Sequence, residues 1–442
     1  MFIFDFNWQI QSFLNQFWYQ INFLLLVILV ILGYLAYKKP AYAVGLTIIL
    51  LPTYLFRSKI WFLPFTYLEL CIWVTFLVPF IKSLLTKSYH LQPTSYFLKW
   101  PILLIIIAST IGVILSPDKT AAAGLWKAYF IEPLLFYLIL INVLKTQKDK
   151  EILLWSLGIS TLVISLLAIY QKFTGFGIAE AGWVAAEHRR VTSIFTSPNA
   201  IGLYLGPILA IYFGWLLSEI KNFKATILKL LIIIPSILAV IFTVSQGTWL
   251  GLAAAIVFLA FFGWNKPAHQ NFWCAGKKWT TLIVLVLIIT CLVIPITQHQ
   301  VLDLITLQDT SGQNRLILLQ MSWQHLLTNP LNFIFGAGIN GFAQIQDQLR
   351  DPLKMEALLY PHNILLNFWL EIGLLGLIAF VWIIIKFFKT GFRSSGLGAR
   401  GSGLLILGVL AAMITILVHG LIDVPYFKND LAVLFWVIIG LL

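Results

Sequence analysis

Thirteen apolar runs recur along the chain, near residues 21–37, 41–56, 64–81, 98–115, 121–143, 152–171, 199–218, 226–244, 247–264, 280–297, 363–385, 403–422 and 427–442. Several approach the ~20 residues that a helix needs to cross a bilayer, where backbone polar groups must be satisfied within the segment. The expected fold is therefore all-α, a polytopic membrane helical bundle of 12 or 13 transmembrane helices, the second and last runs being short. Composition agrees, since 60% of residues are hydrophobic and only 10% charged, with a mean hydropathy of +0.92; soluble domains carry about 25% charged residues. The start, Met1-Phe2-Ile3-Phe4-Asp5, lacks the basic n-region of a cleavable signal, so the chain is read as mature with residues 2–20 at the interface. Neither an internal repeat nor a linker is evident, which leaves residues 1–442 as a single transmembrane domain.

One interval breaks the pattern. Residues 298–362 are polar and carry His299, Arg315, His325, Arg350, Lys354 and His362, so this stretch is expected to form a large loop outside the lipid. Its side follows from Lys and Arg, which accumulate on the cytoplasmic face. With 13 spans, alternate connections hold 18 of the 29 basic residues but only Asp149, Glu151 and Glu219 of the 17 acidic ones. That parity sends the 298–362 loop outward, together with the Arg57/Lys59 loop, Glu187-His188-Arg189-Arg190, Ser245-Gln246-Gly247 and Asp423-Val424-Pro425-Tyr426. It also puts the N-terminus outside. The net charge of +12 is thus a topology signal, and no nucleic-acid partner is expected.

Familiar catalytic motifs are scarce. Gly336-Ala337-Gly338-Ile339-Asn340-Gly341 fits G-x-G-x-x-G, but without the strand–turn–helix unit of a dinucleotide site it is read as a turn between two short loop helices. The sequence holds no H-E-x-x-H, G-x-S-x-G or Walker motif, and Cys71, Cys274 and Cys291 lack the spacing of a metal knuckle. No metal or cofactor is expected. His362 stands where the eleventh span begins, and a helix N-terminus favours neutral imidazole and attracts anions. A neutral imidazole accepts a proton; the competing reading is a histidine that merely caps the span.

Arg190 and Arg315 share the outer face, and guanidinium matches phosphate oxygens with paired hydrogen bonds, although a lone external arginine is usually a solvated charge. Glu371 lies nine residues past His362. On a continuous helix that is about 13 Å deeper and on the opposite face, so it is no direct partner of His362. A buried carboxylate in a span is either functional or a packing element between helices. His419 and Asp423 are i, i+4 neighbours, suited to a structural hydrogen bond or to positioning an external site. Lys127 and Glu132 are five apart and poorly placed to pair.

At these positions the chain resembles the bacterial O-antigen ligase and polymerase superfamily. The resemblance rests on Arg190-Val191-Thr192-Ser193-Ile194-Phe195-Thr196-Ser197-Pro198-Asn199, on Asn314-Arg315, and on Asn329-Pro330-Leu331 before Gly336-Ala337-Gly338. It continues with Pro361-His362-Asn363, Glu371-Ile372-Gly373-Leu374-Leu375-Gly376 and His419-Gly420-Leu421-Ile422-Asp423. It implies transfer of a glycan from an undecaprenyl diphosphate carrier to a hydroxyl of lipid A core or another surface acceptor, without metal or nucleotide. The setting implied is the bacterial inner membrane, with the active-site face periplasmic and membrane lipids as further partners. Carried over by position, His362 is the general base, Arg190 and Arg315 hold the diphosphate, and Asn363, Glu371, His419 and Asp423 support them. Two departures stand out: Ser245-Gln246-Gly247 replaces a frequent Ser-Arg-Gly, so Gln246 offers the diphosphate a neutral amide, and the family usually has both termini inside. An O-antigen polymerase and a protein O-glycosyltransferase fit the same motifs. From another class, a secondary transporter or flippase would place charges near the midplane on broken helices, commonly in two related halves.

Overall fold

A computed structural model of the chain describes residues 3–4, 16–60, 63–86, 98–219, 222–264, 310–349, 358–395 and 402–442. Its helices follow the apolar runs. They begin with α1 (Trp18–Lys38), α2 (Pro40–Ile49), α3 (Tyr67–Thr86), α4 (Lys99–Leu115), α5 (Lys119–Val143), α6 (Gln147–Thr174), α7 (Pro198–Ser218), α8 (Phe223–Thr243) and α9 (Gln246–Trp264). The polar interval supplies α10 (Thr310–Thr328), α11 (Pro330–Phe335) and α12 (Phe342–Leu349), and the chain closes with α13 (Ile364–Ser394), α14 (Ser402–His419) and α15 (Asn429–Gly440). Eight of these are long and apolar enough to cross a membrane, while α2, α4, α14 and α15 are apolar but shorter. The expected span at 280–297 lies outside the described residues.

Local chemistry sets the helix ends. Thr146 and Asp149 form a capping box at the start of α6, and Ser197 caps α7 ahead of Pro198, whose missing N–H is no loss in the first turn. Side chains then sort by depth in the bundle. On α1, Tyr19, Phe23, Val30 and Tyr34 are exposed, as lipid-facing residues must be, whereas α7 and α15 are buried along most of their length.

Two features depart from a plain helical bundle. Phe56–Ile60 (β2) and Leu63–Thr66 (β3) pair antiparallel with Arg57 opposite Thr66, and Ile3–Phe4 (β1) adds to the free edge of β2, so the expected Arg57/Lys59 loop is a strand in a small sheet. The second lies in α5, where Lys127–Ile131 is a π turn. In it the N–H of Glu132 donates to the carbonyl of Lys127, five residues back. This brings Lys127 Nζ to 3.9 Å from Glu132 Oε1, correcting the expectation that the two are poorly placed to pair; i, i+5 neighbours meet on a π turn, though not on an α-helix. Lys127 also pairs with Glu69 of α3 at 2.6 Å. Pro133 has no N–H to offer Tyr129 four residues back, and the Tyr129 carbonyl instead accepts the Tyr426 hydroxyl at 2.9 Å.

The connections that parity assigns to one face do meet. Ser116 Oγ donates to Ile339 O at 2.7 Å, Asn429 to Glu69 at 3.1 Å, Tyr360 to the Phe427 carbonyl at 3.1 Å, and Arg190 to the Thr243 carbonyl at 2.9 Å. Two lysine-rich connections meet too, as Lys82 donates to Tyr37 O at 2.8 Å.

Candidate functional site

The site grows from the start of α13. Asn363 is the N-cap, its side chain accepting the Leu366 N–H at 3.0 Å while its amide donates to Leu421 O at 3.2 Å. The capping role is therefore filled without His362, which precedes the cap with φ +51°. A left-handed non-glycine residue costs of order 1–3 kcal/mol and persists only where its surroundings demand it. The fixed backbone turns the imidazole across to the loop after α14, with Nδ1 at 3.4 Å from Asp423 Oδ1. The His362 side chain is 24% exposed and Asp423 only 12%, so the imidazole faces outward over a buried carboxylate. Burial opposes ionisation of Asp423, but the neighbouring His362, then His419 and the Val424 N–H, outweigh it and hold the carboxyl well below the usual carboxylate range.

Asp423 thus lies within ion-pair distance of His362, while His419 bears on it through charge alone. Helix α14 ends at His419, so the i, i+4 geometry expected for His419 and Asp423 does not extend to Asp423. His419 is buried, with Nδ1 making no hydrogen bond, and its ring packs against the turn between α8 and α9. A Cβ on Gly247 would stand 2.4 Å from the ring carbon Cδ2, so only glycine fits there. Gln246, at the first position of α9 and part-buried, is carried to the same place by this contact.

The two arginines differ in their surroundings. Arg190 Nε donates to Thr243 O at 2.9 Å and Nη2 to Val244 O at 3.2 Å, both carbonyls at the C-terminal end of α8, and Nη2 also reaches Asn199 Oδ1 at 3.4 Å. It is therefore a clamp on α8 as well as a candidate phosphate ligand, with Nη1 outside these bonds. Burial lowers its pKa, and the like charge of Arg315 adds to this. Arg315, part-buried on α10, makes no hydrogen bond or ion pair among the described residues, while its charge bears on both Arg190 and His419. A guanidinium without a partner among the described residues, within electrostatic reach of a second one, is an arrangement that an anion would complete.

Glu371 plays a different part. Helix α13 is broken at Ile372 (φ −132°) and Gly373 (φ +72°), so the continuous helix assumed from sequence does not exist there. Glu371 Oε2 accepts the Asn340 N–H at 2.7 Å, and the carbonyl of Leu370 accepts the Ala337 N–H at 2.7 Å. The Gly336–Gly341 turn, read as a link between loop helices, lies between α11 and α12 and is latched into the break. Glu371 is accordingly not a partner of His362, as expected, and fixes the loop by hydrogen bonding as well as by packing.

Sequence reading missed Lys428. Its ammonium lies 4.8 Å from the Phe195 ring and 5.0 Å from the Tyr54 ring. Burial lowers its pKa while the carboxylates of Asp430 and Asp423 raise it, so its charge bears on Asp423. The available signal was a lysine on the lysine-poor face.

Among the described residues no group of three His, Cys, Asp or Glu side chains is placed to hold a metal ion. A comparison with curated proteins returns no match. Comparison with protein families matches residues 230–381 to the family described as O-Antigen ligase, a stretch that includes Gln246, Arg315, His362, Asn363 and Glu371. Residues 230–381 of this chain are thus an O-antigen ligase domain, which supports a place in the O-antigen ligase superfamily.

Proposed function

We propose that the protein is a membrane glycosyltransferase of the O-antigen ligase type that moves a polysaccharide or oligosaccharide from undecaprenyl diphosphate to an acceptor hydroxyl at the outer face of the bacterial inner membrane. The observation that carries this reading is the His362–Asp423 pair at 3.4 Å, together with Arg315, which makes no ion pair among the described residues and whose charge bears on His419 and Arg190. With Nδ1 turned to the Asp423 carboxylate, the ring proton is favoured there and Nε2 is left to accept the acceptor O–H proton. The acceptor oxygen then bonds to the anomeric carbon as the bond from that carbon to the diphosphate oxygen breaks. Charge develops on the departing lipid diphosphate, and in this reading Arg315, the Nη1 edge of Arg190 and the Gln246 amide meet it. Fixed donors that need not reorganise stabilise such charge strongly.

A polymerase or a protein O-glycosyltransferase would use the same groups on a different acceptor. A transporter is disfavoured because the polar residues gather at one end of the bundle and the sequence shows no repeat. The test is the lipid-linked species that accumulates in a strain lacking the gene. Full-length glycan on the carrier at the outer face supports the ligase reading, single units there point to a polymerase, and units retained at the inner face would overturn glycan transfer in favour of a flippase.

A further inference from the structure

A second hollow opens beside this site. The loop helices α10, α11 and α12 and the outer end of α4 enclose about 390 Å³, a volume suited to a small ligand. Four neutral polar side chains line it, His325, Asn332, Gln344 and Gln348, together with the apolar Leu331 and Phe335. None of the described residues lining it is Asp, Glu, Lys or Arg, in contrast to the arginine-bearing site nearby. Among the described residues a charged ligand would find no counter-ion there.

The polar groups are equipped for hydroxyls. Gln344 and Gln348 lie one turn apart on one face of α12, and each amide both donates and accepts. Asn332 spends its amide N–H on the His325 carbonyl at 3.2 Å, which leaves its side-chain oxygen as an acceptor. His325 Nε2 is buried and makes no hydrogen bond to the described residues. Burial lowers the pKa of His325 and favours the neutral ring, against a smaller opposing contribution from a hydrogen bond with the Gly336 backbone, and Nε2 is the nitrogen left without a partner among the described residues. Hydroxyls that donate and accept, set around a ring with an apolar C–H face, complement this lining.

The floor of the hollow is tied to the catalytic helix. Gly336 and Ala337 line it, and the Ala337 N–H donates to the carbonyl of Leu370. Leu370 is seven residues past Asn363, roughly 10 Å along α13 at 1.5 Å per residue. A glycan with its reacting end at His362 spans that distance within a few sugar rings.

We propose that this hollow is a subsite for an uncharged sugar ring of the donor or acceptor glycan, an inference that rests on the glycan-transfer reading above. Gln344 and Gln348 are exposed, so Gln344→Leu/Gln348→Leu removes the hydrogen bonding without disturbing the core. The probes are lipid-linked glycan and acceptor glycolipid, both extracted from cells lacking the gene, and undecaprenyl diphosphate without sugar. If the ring belongs to the donor, the double variant binds the glycan-bearing lipid about tenfold more weakly, the loss of about 1.4 kcal/mol of contacts, and binds the sugar-free lipid as the unaltered protein does. If it belongs to the acceptor, donor binding is unchanged and KM for the acceptor rises by a similar factor. A folded double variant with all three values unchanged overturns the subsite while leaving the transfer reading intact. Failure of the unaltered protein to bind either lipid or to transfer glycan overturns both.

Discussion

Arg190 and Arg315 carry the same charge, but their surroundings assign them different consequences. Arg190→Ala strips carbonyls at the end of α8 of their donor, and each lost charge-assisted bond costs about 1.5–3 kcal/mol; the variant is expected to melt at lower temperature and to fold in poorer yield. Arg315→Ala breaks no bond to the described residues, so its melting temperature should stay put while binding of undecaprenyl diphosphate and turnover fall together, and Arg315→Lys should restore only part because a point charge replaces a fork. Thermal melting and a lipid-binding assay separate the two; an Arg315→Ala variant that binds the lipid normally would remove Arg315 from the site. Asp423 gives a second prediction. Its folded-state pKa is depressed, so its stabilising effect is present above the unfolded carboxylate range and fades as pH falls through that range toward the folded value. At neutral pH it is ionised and orients His362; Asp423→Asn should therefore lower kcat by about 10²-fold, within the span of general-base effects, with lipid binding unmoved. Residue types and order made these candidates legible. The use of Arg190 was not, because the carbonyls it clamps are 53 and 54 residues away.

At the scale of elements, the apolar runs were readable because length and hydropathy are summed over many residues, whereas the cap of α13 was sought at His362 and is Asn363. What escaped notice depends on a single residue. The π turn follows from one extra residue in a turn before Pro133, and β2 with β3 is too short for alternation to stand out. The break in α13 hinges on Gly373, whose neighbours read as ordinary span. There φ is +72°, and an added Cβ would lie 2.7 Å from the Ile334 carbonyl. Gly373→Ala should consequently destabilise the fold by about 1–3 kcal/mol, as strained positions do, and lower turnover as well, since the outer half of α13 sets Asn363 and the latch to Asn340. Differential melting and a transfer assay on one preparation check this; a variant with normal melting and normal turnover would show that the break is incidental.

Across the whole molecule, parity of the polar connections and their contacts in space agree: segments far apart in sequence, from Arg190 to Asp423, meet at one end of the bundle. The orientation of that end rests on the lysine and arginine asymmetry. In a cysteine-free background, Gln313→Cys and Asp347→Cys should react with an impermeant thiol reagent on intact spheroplasts, and Lys148→Cys should not; the reverse pattern would place the site in the cytoplasm. The most direct test of the account is His362→Ala, assayed for glycan transfer and for lipid diphosphate binding on protein of verified fold. A base that acts on the acceptor predicts that donor binding persists while turnover falls by about 10²–10⁴-fold. A well-folded His362→Ala protein with full transfer activity would contradict it.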